Sequence, residues 1–118
     1  MKRCLLISLV AIAALAPAAA LARRQPTTSE RAAIARHLGV PARCAVIWIS
    51  SVDKLWASFT SSHKQSCLAH ASDGIVVLHR RHGKWRQSFA GSDIPCPVPH
   101  VPPRIVTDLR IRCNTRAS

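Results

Sequence analysis

Between residues 79 and 86 the chain reads His79-Arg80-Arg81-His82-Gly83-Lys84-Trp85-Arg86, four permanent cations and two imidazoles within eight positions. Guanidinium groups hold phosphate and carboxylate bidentately, so His79, Arg80, Arg81, His82, Lys84 and Arg86 form a candidate anion-binding set. An exposed Trp85 would add a stacking surface for a base or a sugar. A packed Trp85 would leave the charges to keep a hairpin end solvated.

Other chemistries find less in the chain. His79 and His82 could bind copper, nickel or zinc, but no carboxylate lies near in sequence to orient them. No metal ligand set and no cofactor motif is therefore assigned, and His63, His70 and His100 fall in loops. A glycosidase needs two carboxylates across a bond, and the acids number only five: Glu30, Asp53, Asp73, Asp93 and Asp108. Serine, histidine and aspartate are present without a Gly-x-Ser-x-Gly elbow. For a small ribonuclease, His79, His82 and Arg86 could supply a base, an acid and a phosphate clamp in type.

The elements that must position these residues follow from hydrophobic periodicity. Ile75-Val76-Val77-Leu78-His79-Arg80 and Lys84-Trp85-Arg86-Gln87-Ser88-Phe89 flank Arg81-His82-Gly83, the pattern of a β-hairpin with a glycine free to take a positive φ. Strict alternation would put Trp85, Gln87 and Phe89 on one face. Residues 44–52 carry strong strand propensity. Residues 54–61 alternate Leu55, Ala57 and Phe59 against Trp56, Ser58 and Thr60, with Ser51-Val52-Asp53 as the connection. Trp48 and Trp56 are expected in sheet packing, exposure making them recognition anchors instead.

Around these strands, Arg23 to Pro26 reads as a loose basic lead-in. Thr27 and Glu30 have capping-box spacing, Ala33, Ile34 and Leu38 share a helical face, and Gly39 with Pro41 ends that helix. Residues 62–73 read as a loop holding Cys67. Pro102 and Pro103 suit the opening of a last helix over 103–112, with Ile105, Val106, Leu109 and Arg112 as its stripe and Asp108 paired to Arg112 at i,i+4. The expected fold is α+β: an antiparallel sheet of about four strands flanked by an N-terminal and a C-terminal helix, both on one face.

The first 22 residues set the compartment. Met1-Lys2-Arg3 is positive, Leu5 to Leu15 is apolar, and Pro17-Ala18-Ala19-Ala20-Leu21-Ala22 ends in an Ala-x-Ala pattern. This is the form of a secretory signal peptide cleaved after Ala22, and the apolar run is too short to span a bilayer. Cys4 precedes that run, where a lipobox cysteine cannot lie, and Arg23-Arg24 follows it, unlike a twin-arginine signal. The expected location is secreted, periplasmic or extracellular, with no stable membrane insertion after cleavage. Residues 23–118 would form a single domain. Without Lys2 and Arg3 the 17 basic residues become 15, giving a net charge of about +10 against the five acids.

Cys44, Cys67, Cys96 and Cys113 then read as two disulfides in a domain too small to rely on its core alone. No Cys-x-x-Cys pair points to zinc or redox work. Three pairings are open. Cys67–Cys96 with Cys44–Cys113 is favoured, since each would join the ends of a packing unit.

Several elements recur together: Val52-Asp53-x-x-Trp56-Ala57, Cys67, Gly74-Ile75-Val76-Val77-Leu78-His79-Arg80, Gly83-Lys84-Trp85-Arg86, Gly91-Ser92, Cys96-Pro97, and Pro102 with Val106 and Asp108-Leu109. In that order they resemble a group of uncharacterised small secreted actinobacterial proteins to which no activity is assigned, over about residues 46–113. The resemblance implies export and one compact disulfide-bonded domain, and it transfers no catalytic residues. The expected function is that of a basic interaction module binding an anionic envelope component or an extracellular protein. A small basic secreted hydrolase, in the form of a nuclease, is the alternative.

Overall fold

The computed structural model describes residues 22–114. The expected leader and Cys4 therefore lie outside the described residues, except Ala22. The order of elements is α1 (Thr28–Leu38), β1 (Ala45–Ile49), β2 (Trp56–Ser61), β3 (Ile75–Arg81), β4 (Lys84–Gly91) and α2 (Pro103–Asp108), with 3₁₀ turns at Ala42–Cys44 and Gln65–His70. The four strands form one antiparallel sheet in the order β1-β2-β3-β4. Each strand pairs with its sequence neighbour, the usual outcome for consecutive strands, even across the longer β2–β3 connection of residues 62–74.

Helix α1 starts as its sequence requires. Thr27 Oγ1 accepts from the Glu30 amide and Glu30 Oε1 accepts from the Thr27 amide, a complete capping box. Ile34 and Ala35 are its buried residues, so Ala35 rather than Ala33 faces the sheet. The lead-in is not loose. Arg24 exchanges backbone hydrogen bonds with Ile49 at 2.8 Å each, covering one end of the β1 edge, and its guanidinium grips Glu30 at 2.8 and 3.0 Å. The Arg23 guanidinium lies 4.2 Å above the Trp48 ring.

The two helices sit on opposite faces of the sheet, which corrects the one-face expectation. Alternate strand residues point to opposite sides. Ala45, Ile47, Ile49, Ala57, Phe59, Leu78 and Trp85 meet Ile34 and Ala35 of α1. Trp56 and Val77 meet Val98, Val101, Ile105, Leu109 and Ile111 of the C-terminal segment, with Trp48, Ile75 and Phe89 packed at the margin. With both faces covered, β2 is buried at every position but Thr60.

Trp85 and Phe89 therefore occupy different cores. The register runs Val77↔Phe89 and then Leu78↔Gln87, leaving Ser88 as an extra residue. This bulge moves every following side chain to the other face, a break that alternation in the sequence does not signal. At the hairpin tip His82 (φ 51) and Gly83 (φ 75) form a two-residue loop between Arg81 and Lys84, matching the right-handed strand twist.

The disulfides are Cys44–Cys67 and Cys96–Cys113, which overturns the favoured pairing. Cys44 and Cys67 meet because each closes a 3₁₀ turn beside the β1–β2 pair, and the Ser62 amide donates to the Cys44 carbonyl there. Residues 65–70 are thus a helical turn anchored by a buried Cys67, not an open loop. Cys96 and Cys113 join the two ends of the C-terminal segment instead of tying it to the sheet.

Helix α2 stops at Asp108, shorter than expected, and Arg110 takes a positive φ of 56. Arg112 therefore lies beyond the helix, and the Asp108 carboxylate engages the β1–β2 connection. Its carboxylate accepts from the Ser50 hydroxyl at 2.7 Å, the Ser51 amide at 2.8 Å and the Ser51 hydroxyl at 2.8 Å. Burial raises its pKa, but these bonds and the Val52 amide outweigh that and leave it below the usual carboxylate value.

Candidate functional site

The hairpin end splits the predicted cation set by face. His79, Arg81, Lys84 and Arg86 alternate with Arg80 and Trp85, and the pairs His79↔Arg86 and Arg81↔Lys84 lie across from one another. By strand alternation the first group faces the side of the C-terminal segment, where His79 stacks on Trp56 of that core, but at the outer edge Lys84 and Arg86 also border the α1 side. Arg80 is opposite Trp85 on the α1 side.

His79, Arg81 and Arg86 line a cleft of about 280 Å³ with Gln87, Ser88 and His100. Two strands and the C-terminal segment thus line it with two arginines, two histidines, Gln87 and Ser88, and among the described residues no Asp or Glu borders it. Gln87 and Ser88, the residues at the bulge, border its wall. His100 comes from a proline-rich connection and is held at a positive φ of 61. Sequence reading left His100 among the loop histidines and did not select Gln87 or Ser88. Only an adjacency across some twenty residues identifies them.

His79 is the best-fixed member. Its ring stacks on Trp56 with centroids 4.0 Å apart and planes 9° apart, which locks its orientation. Arg81 Nε donates to His79 Nδ1 at 3.1 Å. Burial and the Arg81 charge push its pKa below the ordinary imidazole value, against a smaller opposing pull from Asp53. With Nδ1 accepting, the neutral ring carries its proton on Nε2, a donor suited to an anion.

A second groove, of about 380 Å³, lies between α1 and the hairpin tip. Arg36 and His37 line it from the helix, Lys84 and Arg86 from β4, with Gly83 and Trp85 at the tip. Arg86 borders both depressions.

The remaining predicted features resolve as follows. Trp85 is buried at 6% exposure and packs on α1, so it is a core residue rather than a platform for a base or sugar. Trp56 is buried and Trp48 half-buried beneath Arg23. His82 is in the tip turn and does not line the cleft that holds His79, which separates the histidine pair proposed for acid–base work. Ser50 donates directly to Asp108, with no imidazole between them as a hydrolase triad requires. Among the described residues no three His, Cys, Asp or Glu side chains gather as metal ligands would, and no helix is long and apolar enough to cross a membrane.

Compared with protein families, with curated proteins and with solved structures, the chain matches none of them.

Proposed function

We propose that this chain is an exported, disulfide-braced module that binds an anionic envelope component, or the acidic surface of an extracellular protein, through the cleft of His79, Arg81, Arg86 and His100. The observation that carries this reading is the convergence of His79, Arg81, Arg86 and His100 on one cleft that no Asp or Glu borders among the described residues. The net charge of about +10 left after cleavage of the leader supports it by drawing polyanions toward the surface. Export rests on the leader pattern, cleaved after Ala22, and two disulfides fit an oxidising compartment. The likeness to small secreted actinobacterial proteins belongs to the same reading.

The test is retention of the purified mature protein on an immobilised phosphate-bearing polymer as salt is raised. Binding that weakens steeply with salt, and falls at least tenfold in R81A/R86A, supports the module. Retention unchanged by that double substitution overturns the cleft as the site.

One observation favours a nuclease as second reading. His79 and His100 share the cleft with two guanidiniums, the groups needed to move two protons around a phosphodiester. In this form His100 replaces His82 as the partner of His79. RNA cleavage abolished by H79A and by H100A, but not by H82A, would establish it. Absence of cleavage leaves binding alone.

A further inference from the structure

The two cationic depressions flank a single strand, and this limits what kind of anion fits them together. β4 is the last strand of the sheet, so among the described residues its outer edge has no strand neighbour. On one side of it lies the cleft of His79, Arg81 and His100. On the other lies the groove of Arg36, His37 and Lys84. Arg86 borders both, because a long side chain on an edge strand can turn around the edge to either face. Lys84 and Arg86 are two residues apart on an extended strand, about 7 Å along it, so charge continues along the edge as well as across it.

Resting on the anion-binding reading above, we propose that the ligand is a linear polyanion with repeated phosphate groups, laid over the β4 edge so that it occupies both depressions with Arg86 between them. A single phosphate satisfies only one depression. A chain that enters one cleft and passes the edge delivers its next phosphates to Arg36 and Lys84 at high effective concentration, a gain of up to about 10²–10⁴ over one-site binding. Phosphate suits the cleft better than carboxylate. Its tetrahedral oxygens accept from several directions, as required by donors on β3, β4 and the 92–102 segment, whereas a carboxylate matches one planar fork. The bulge at Ser88 lies along the same wall, where it locally bends β4.

The test compares inorganic phosphate, tripolyphosphate, long-chain polyphosphate and poly-glutamate of matched charge at fixed salt, with affinities measured by calorimetry on the mature protein. The expected result is a step of tenfold or more per binding chain between tripolyphosphate and the long polymer, with poly-glutamate at least tenfold weaker. R36A/K84A removes exposed side chains only and is expected to abolish the step while leaving tripolyphosphate binding within twofold of wild type. R86A is expected to weaken both ligands. A long-polymer affinity that rises only in proportion to phosphate number, or is untouched by R36A/K84A, overturns the bridging model and leaves the single-cleft module standing. Poly-glutamate binding as tightly as polyphosphate overturns the phosphate preference. If none of the polyanions binds, the module reading fails with it.

Discussion

Opening the Cys44–Cys67 bond offers the sharpest quantitative test of how this fold is held. The bond closes a 23-residue interval, and the chain-entropy relation assigns such a loop about 3.4 kcal/mol. The 17-residue interval of Cys96–Cys113 gives about 3.1 kcal/mol. Small domains have total stabilities of about 5–15 kcal/mol, so either loss is a large fraction of the whole. The two loops are consecutive rather than nested, one beside the β1–β2 pair and the other within the C-terminal segment. Their effects in the double-alanine variants C44A/C67A and C96A/C113A should therefore add to within about 0.5 kcal/mol. The assay is urea unfolding followed in parallel by tryptophan fluorescence and circular dichroism. With a slope of about 1 kcal/mol/M, each variant loses about 3 M in midpoint. A bond between Cys44 and Cys113 would instead have closed about 70 residues and contributed about 4.4 kcal/mol. A loss under about 1 kcal/mol, or a four-alanine variant no weaker than either pair, would refute the argument.

Other consequences are accessible to the same measurements. The Arg24 and Thr27 hydrogen bonds lower the Glu30 pKa from 4.5 to about 2, so its contribution is complete above pH 4.5 and disappears as pH falls through about 2. Because the Arg24 side chain is 39% exposed, screening limits the expected cost of E30Q to about 1–2 kcal/mol at neutral pH, vanishing near pH 2 in acid titration. Gly74 has φ 98, and a Cβ there would lie 2.5 Å from the Gly91 carbonyl oxygen. G74A is expected to lose about 2–4 kcal/mol in thermal unfolding. His79 titrates below its ordinary 6.5, so stability is full above pH 6.5 and declines as pH falls through the folded-state value, with quenching of Trp56 reporting the protonation; H79Q should remove that quenching step. D108N leaves the Ser50 and Ser51 donors facing a weaker acceptor and is expected to cost about 1–3 kcal/mol in urea unfolding.

Much of this protein is local, and local features are written in the chain itself. Thr27 and Glu30 cap α1 by contacts three residues apart, Pro103 opens α2, and two alternating runs around His82-Gly83 make a hairpin with its tip in the turn that these residues favour. The cationic character of that hairpin needs no coordinates. Its division did. Which cations share a cleft depends on strand alternation from the tip turn and on which core covers each face, while the one-residue bulge at Ser88 returns Phe89 to the core of the C-terminal segment.

The composition likewise determined that four cysteines would be available for two cross-links, and tertiary structure alone decided their partners. Pairing needs two sulfurs brought within bonding reach, which depends on where 3₁₀ turns bring Cys44 to Cys67 and on how the C-terminal segment folds back on itself. The same segment delivers His100 to His79 and covers the second face of the sheet. Periodicity reports which side of each element is apolar, because that is a property of neighbours along the chain. It does not report which distant surface covers that side, because that choice is made by the packing of the whole molecule.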